Sequence, residues 1–164
     1  MHHNLVLKSA AKITLPFILL FALYVQFHGD YGPGGGFQAG AIFGAGIILY
    51  GLVFGAGASR ILMEPEIAPI VATLGVLLYT GVGIVSMLLG ANFLDYDILA
   101  ASKVEGQHLG ILLVEFGVGL AVMAVMVIFF HAFVATAEDE DEDEGDPPSA
   151  EPSAAAKEER PEPR

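Results

Sequence analysis

Glu115 is an acidic side chain inside an apolar stretch, where it could take part in moving a proton or a cation. The run from Gly106 to Ala137 contains no other acidic residue. If this stretch lies in a membrane, a charge there is costly and normally faces a protein interior or a water-filled path. His108 lies seven residues earlier on the same helical face, and Glu105 precedes it. We predict a polar path from this loop to Glu115; the alternative is a structural hydrogen bond or a pair with a basic residue of another subunit.

A second acidic pair, Asp95 and Asp97, lies in a polar stretch before Lys103. Two carboxylates this close could hold a cation at the entrance of the path. Acidic pairs are also typical of loops that are simply exposed to water. Asp95 therefore joins Glu115 and His108 as a candidate residue of an ion or proton pathway.

A glycine-rich loop lies between the first two apolar segments. Its proline has a fixed φ, whereas its glycines allow backbone conformations that other residues avoid. No Gly-Lys-Ser/Thr follows, which argues against a nucleotide-binding loop. We expect the backbone to re-enter the membrane here, with Gln38 and His28 supplying polar contacts. The loop consists of Pro33, Gly34, Gly35, Gly36 and Phe37.

Small residues recur at every fourth position after this loop. In lipid, helices gain no hydrophobic free energy by pairing, and small residues let their backbones approach closely. We therefore expect the second apolar segment to pack against the fourth or against another subunit. The stripe comprises Gly36, Gly40 and Gly44, and we expect Gly51 and Gly55 to continue it.

Four long apolar segments predict an all-α integral membrane protein with four transmembrane helices. A helix needs about 20 apolar residues to span the hydrocarbon core. Four consecutive segments of this length argue against buried helices of a water-soluble protein. The predicted helices are Ala10–Phe27, Phe37–Gly57, Ile67–Leu89 and Leu109–Ala135, with His131 at the membrane interface.

Charge divides the chain into a transmembrane domain, residues 1–137, and an acidic tail, residues 138–164. The tail holds 12 of the 19 acidic residues, so the net charge of −12 is mainly a property of the tail. Its Pro/Ala/Glu-rich composition cannot bury enough apolar surface to offset the entropy of ordering. We predict a disordered C-terminal extension.

Basic residues near the apolar segments predict the orientation of the chain. Lys8 and Lys12 flank the first segment, and Arg60 lies between the second and third, whereas Lys103 lies between the third and fourth. Cytoplasmic loops carry the excess of basic residues. We expect both termini in the cytoplasm.

Several functional classes are excluded by what the sequence lacks. It contains no cysteine, which excludes disulfides and zinc–thiolate sites. It has no GxSxG, HExxH or Walker motif, so we expect no enzyme, no catalytic residues and no cofactor. The pair His2–His3 is too short for a metal-binding tract, and no basic cluster suggests nucleic acid.

Three blocks of sequence resemble the MnhB domain. They are His28-Gly29 with Pro33–Gly40, Gly90–Tyr96, and Leu113–Gly119, and the Pro-Gly-Gly-Gly-Phe block is the most specific. The resemblance covers roughly residues 5–135 and leaves the acidic tail outside.

This resemblance implies the small MnhB-type (MrpB) component of a multisubunit Mrp-type Na⁺/H⁺ antiporter of the prokaryotic plasma membrane. It implies other antiporter subunits as partners, contact with membrane lipid, and Na⁺ and H⁺ as the transported ions. It also implies a role in pH homeostasis and sodium extrusion. MnhB-like domains also occur in membrane-bound hydrogenase complexes, so an interface scaffold in such a complex is the alternative.

Overall fold

A computed structural model describes residues 2–29 and 34–145 of the chain, and the side chains of residues 5–29 and 34–138. The described part is helical and contains five α-helices. A short 3₁₀ turn, Tyr96–Ile98, lies in the connection before the last helix. The helices are α1 His2–Phe27, α2 Gly36–Phe54, α3 Ala56–Leu62, α4 Ile67–Leu88 and α5 Lys103–Gly145.

Four of these helices are long and apolar enough to cross a membrane, which confirms the predicted all-α membrane fold. The spans are Leu5–Phe27 in α1, Gly36–Phe54 in α2, Ile67–Leu88 in α4 and Lys103–Glu138 in α5. The chain is therefore a multi-pass membrane protein.

The second predicted helix is two helices in the structure. Gly55 has a φ of 102°, a conformation that favours glycine, and it ends α2 before α3 begins at Ala56. The ideal Cβ position of Gly55 meets open space, so this glycine does not extend the packing stripe as we expected. It instead lets the chain change direction.

The last helix is longer at both ends than its apolar core predicts. It begins at Lys103 rather than Leu109, and it continues to Gly145 rather than ending near Ala135. Hydropathy detects only the part of a helix that fits the hydrocarbon layer. The helix crosses the boundary that we placed between residues 137 and 138, so the first part of the predicted disordered tail is helical. Residues 146–164 of the tail lie outside the described residues.

The four spanning helices form an open row. The main contacts join α1 to α2, α2 to α5, and α5 to α4. The buried apolar side chains are small, and most large apolar side chains, such as Phe17 and Phe133, face outward. This distribution is expected where lipid or another membrane protein surrounds the helices. The buried apolar residues are Ala11, Ala22, Ala39, Ala68, Val82, Ala124 and Val127.

Close packing between α4 and α5 depends on a pair of glycines. The ideal Cβ position of Gly75 lies 3.1 Å from Cβ of Ala121, and that of Gly117 lies 2.7 Å from the carbonyl oxygen of Gly75. A methyl group at either position would strike the facing helix. These two glycines therefore let the two backbones lie in contact.

Helix α3 is attached to α5 by a buried polar pair. Ser59 Oγ lies 3.3 Å from Nε2 of His131, and Ser59 Oγ also donates to the carbonyl oxygen of Ala56. His131 is 9% exposed, so its side chain lies inside the helix packing, and its position at the membrane interface stays a prediction. Nearby, Arg60 and Glu138 form an exposed ion pair of 3.4 Å, a type that contributes little stability.

The packing of α4 on α5 predicts opposite effects for two alanine substitutions on α4. Gly75→Ala should lower the free energy of unfolding by about 1–3 kcal/mol, because the new methyl group strikes α5. Gly81→Ala is the control, since its ideal Cβ position meets open space and alanine favours a helix. Thermal unfolding in detergent, followed by circular dichroism, measures both. Equal stability of the two variants would contradict the packing described here.

Candidate functional site

The contact between α2 and α5 is a seam of four glycines on α2, and the last of them, Gly51, lies against the ring of Phe130. The ideal Cβ position of Gly36 lies 2.7 Å from Cα of Glu115, and that of Gly40 lies 2.9 Å from Cα of Gly119. The ideal Cβ position of Gly44 lies 3.0 Å from Cβ of Met126. The glycine stripe thus faces α5 of the same chain, and its first residue, Gly36, meets Glu115.

The carboxyl group of Glu115 lies in a cradle formed by glycine backbone. The ideal Cβ positions of Gly29 and Gly35 each lie 3.0 Å from Cδ of Glu115. Any side chain at these two positions would compete with the carboxyl group for the same space. The glycines therefore bring the turn between α1 and α2 directly against the one acidic residue in the apolar part of α5.

The start of α2 supplies favourable electrostatics for a carboxylate at this place. Gly36 is the first residue of α2, and Gly35 occupies its N-cap. The N-terminal end of a helix carries a partial positive charge, because its first N–H groups lack partners within the helix. Gln38 stabilises this end, since the Gly35 N–H donates to its Oε1 at 3.1 Å. A half-buried carboxylate of Glu115 is thus placed where the field favours its charge.

Gly29 and Gly35, which lie against Glu115, are well short of the ends of α4 and α5 that the loop between these two helices joins. Glu115 lies twelve residues into α5, about 18 Å along its axis. Gly75, which faces Gly117, lies thirteen residues before the end of α4 at Leu88, about 20 Å along the axis. The hairpin of α4 and α5 therefore projects well beyond the level of the glycine cradle.

A depression with a volume of about 320 Å³ lies beside Glu115, at the level of the glycine cradle. We call it the Glu115 depression. It gives a cation or water a place beside the carboxyl group at the level where α2 begins. Its walls are Gly34, Gly35, Gly36, Phe37, Gln38, Val114, Glu115 and Val118.

The projecting part of α5 carries two of the predicted polar residues. Glu105 lies in its first turn, and His108 follows; both are exposed. His108 is separated from Glu115 by two turns, about 10 Å along the helix axis. Directly after α1, the exposed ring of His28 stacks on Tyr24 with 4.5 Å between ring centroids. Pro33, which we predicted as part of the loop, lies outside the described residues.

The loop between α4 and α5 uses Asp97 as its charged anchor. Asp97 accepts a 2.7 Å hydrogen bond from Nε2 of Gln107 and lies 3.3 Å from Nζ of Lys103. The bond from Gln107 and then that from Lys103 lower the pKa of Asp97. Asp95, the residue that we selected, has its N–H bonded to the Asn92 carbonyl at 3.0 Å. In the described residues Asp97 therefore forms the charged link to α5.

Tyr96 closes this loop onto α5. The ideal Cβ position of Gly110 falls on the Tyr96 ring, and that of Gly106 lies against the Tyr96 carbonyl oxygen. Burial, followed by the proximity of Tyr79, raises the pKa of the Tyr96 hydroxyl. Tyr96 thus packs against α5, whereas the side chain of Asp97 is 37% exposed, and the role of the acidic pair stays a prediction.

Two participants were not identified from the sequence. Gly29 and Gly119 were noted only as members of the blocks that resemble the MnhB domain. Gly29 in fact lies against the carboxyl group, and Gly119 forms the next contact along the α2–α5 seam. A single glycine carries no local signal for contact with a distant helix, although Gly119 follows Glu115 by one turn.

Within the described ranges, no three His, Cys, Asp or Glu side chains gather closely enough to hold a metal ion. The chemistry that the site supports is therefore that of one carboxyl group beside a glycine backbone and an amide cap. Such a group can accept and release a proton, or provide an oxygen ligand to a monovalent cation.

A comparison with known families finds a match over the part of the chain that contains this site. Residues 6–128 match a family model described as a domain related to the MnhB subunit of Na⁺/H⁺ antiporter. The matched region contains α1 to α4, the glycine cradle and the membrane part of α5 up to residue 128.

Individual relatives are similar over more than half of the chain. The B-type Na⁺/H⁺ antiporter subunit of Bacillus subtilis (strain 168) is 35% identical over 94 residues, which are 57% of this chain and 65% of that protein. The alignment thus spans just under two thirds of that relative. The antiporter subunit mnhB2 of Staphylococcus aureus (strain Newman) is 33% identical over 129 residues, which are 76% of this chain and 90% of that protein. The same figures hold for mnhB2 of the JH1 strain.

Alanine substitutions at Gly35 and Gly36 should distinguish the role of these glycines in stability from their role in positioning the carboxyl group of Glu115. Gly36→Ala should destabilise the protein by about 1–3 kcal/mol, because its methyl group strikes the backbone of α5. Gly35→Ala should be milder, because it meets the movable end of the Glu115 side chain. Thermal unfolding measures stability, and modification by dicyclohexylcarbodiimide, located by mass spectrometry, reports a displaced carboxyl group.

The control for this pair is Gly57→Ala, whose ideal Cβ position meets open space. Gly35→Ala should unfold like this control and yet change the rate of Glu115 modification. An unchanged modification rate would show that Gly35 does not position the carboxyl group.

Proposed function

Because the chain belongs to the family of domains related to the MnhB subunit of Na⁺/H⁺ antiporter, we propose that it works as a membrane subunit of a multisubunit Na⁺/H⁺ antiporter. We further propose that Glu115 lies on the path of the exchanged ions. The observation that carries this second step is the placement of its carboxyl group against Gly29 and Gly35, at the start of α2.

The glycine cradle supports a transport role better than a purely structural one. A neutral side chain would fill the contact between α2 and α5 without the cost of placing an acid in a membrane. The Glu115 depression leaves room beside the carboxyl group, and the projecting part of α5 carries the exposed residues Glu105 and His108. We propose that protons or Na⁺ approach Glu115 along this part of α5.

The open row of helices supports function within a larger assembly. A single row has two broad faces, and its large apolar side chains face outward on them. We propose that other antiporter subunits cover part of these faces and complete the ion path that Glu115 begins. Lipid would cover the remainder.

The positions of the basic residues support an orientation with both termini in the cytoplasm. Lys12 lies 5.8 Å from the centroid of the Phe54 ring, and Arg60 pairs with Glu138. The beginning of α1 and the later part of α5 therefore share one side with α3. Lys103 lies at the opposite end of α5. We propose that the side with Lys12 and Arg60 faces the cytoplasm of a prokaryotic plasma membrane.

Replacing the carboxyl group tests the proposed role of Glu115. In everted membrane vesicles that contain the complete antiporter, Glu115→Gln should lower Na⁺-driven proton movement by about 100-fold or more, the least expected from a positioned proton-transfer group. The amide keeps the shape of the side chain, so assembly of the complex on a native gel should persist. Glu64→Gln, an exposed change in the connection between α3 and α4 and outside the proposed approach, is the matched control. Full exchange by assembled Glu115→Gln would remove Glu115 from the ion path.

Labelling of introduced cysteines tests the orientation, since the natural chain contains none. In intact cells a membrane-impermeant maleimide should label Ala101→Cys, which lies in the loop between α4 and α5. The same reagent should label Ala137→Cys only after the membrane is permeabilised. Both positions are exposed in the structure. The reverse pattern would place the termini outside.

A further inference from the structure

A second cavity, distinct from the Glu115 depression, lies between α1 and α5, and residues of α2 form its floor. We call it the α1–α5 groove; its volume is about 300 Å³. Leu23 and Phe116 stand at its edges and are 43% and 44% exposed. The groove therefore opens to the side of the helix row. Its walls are Leu23, Gln26, Gly40, Phe43, Phe116, Gly119, Leu120 and Met123.

Gln26 is the one wall residue with a polar side chain, and it is buried to 5% exposure. Its Nε2 has no hydrogen-bond partner among the described residues. The amide lies beside Gly119, whose ideal Cβ position is 2.8 Å from Gln26 Oε1. An amide N–H without an acceptor in an apolar environment costs free energy, so this donor needs an acceptor from outside the described chain.

The depth of Gln26 identifies the kind of acceptor. Gln26 is level with Gly119, which lies ten residues, or about 15 Å, beyond the first residue of the apolar run at Leu109. This is about half the thickness of a hydrocarbon core. Lipid at that depth offers only acyl chains, which contain no acceptor. A water molecule needs two to four polar partners, and seven of the eight wall residues offer no polar side chain.

We propose that the α1–α5 groove receives a transmembrane helix of another subunit, which places a hydroxyl or amide oxygen against Nε2 of Gln26. This inference rests on the proposed function, because it requires a partner subunit. Gly40 and Gly119 leave the space for the incoming side chain, and the apolar walls pack around it. Ser, Thr, Asn and Gln side chains are the ones that join membrane helices in this way. The groove thus assigns a docking surface to the face of the row between α1 and α5.

Photo-crosslinking in the assembled complex tests the occupant of the groove. p-Benzoylphenylalanine in place of Phe116 should form an adduct with a transmembrane segment of another subunit. Mass spectrometry should locate that adduct within one helical turn of a Ser, Thr, Asn or Gln. The same photoreactive residue in place of Phe129, an exposed position on α5 outside the groove, is the control. Adducts at position 116 with phospholipid alone, or with a second copy of this chain, would overturn the proposal.

A substitution at Gln26 tests the hydrogen bond itself. Gln26→Met keeps the length of the side chain and removes the donor, so recovery of the complex in increasing detergent should fall about threefold, as for one hydrogen bond between membrane helices. Asn92→Met, which removes an exposed amide outside the groove, should leave recovery unchanged. Unchanged recovery of Gln26→Met would refute the hydrogen bond. If no other subunit accompanies even the natural chain, the proposed function fails instead, so the two failures are distinguishable.

Discussion

The direct contact between the backbones of α2 and α5 is the constraint on which the rest of the structure depends. Because hydrocarbon provides no hydrophobic drive for helices to pair, these helices gain their attraction from close van der Waals contact. Gly36 and Gly40 allow that contact, and Gly119 faces the second of them. Since the contact begins at the first residue of α2, it also brings the turn between α1 and α2 against Glu115. Packing and the placement of the acid are therefore one feature of the chain.

The same packing explains how an acid is accommodated in an apolar helix. A charge in a membrane requires dipoles or water nearby. The N-terminal end of α2 supplies the dipoles, and the Glu115 depression supplies an opening. Side chains at Gly29 and Gly35 would push the carboxyl group away from both. The arrangement costs conformational entropy at each glycine, and the gain is a carboxyl group that stands at a defined place beside an open cavity.

An open row of helices leaves two faces without a neighbouring helix, whereas a closed bundle buries its inner faces. Its small side chains are used inside the row, and its large apolar side chains and the α1–α5 groove remain on the faces. The membrane solvates most of this surface, but it cannot satisfy a buried amide at mid-depth. The membrane fold and the need for partners therefore have a common cause. One layer of four helices provides contacts between neighbouring helices and leaves both faces of the layer available to lipid or to other subunits.

The sequence by itself determined the number of spanning helices and the α-helical class, and it identified Glu115 and the glycine loop as candidates for the functional site. These features are local, because an apolar run of sufficient length, an isolated acid and a cluster of glycines can each be recognised without knowing their neighbours. Only the tertiary structure decided that Gly29 contacts Glu115, that His131 is buried against Ser59, and that Asp97 anchors its loop. It also decided that Gly55 ends a helix and that Gln26 faces a groove. Each of these depends on which helix lies opposite, and in a membrane the hydrophobic pattern that would reveal the facing side is lost, since lipid and protein interior are equally apolar.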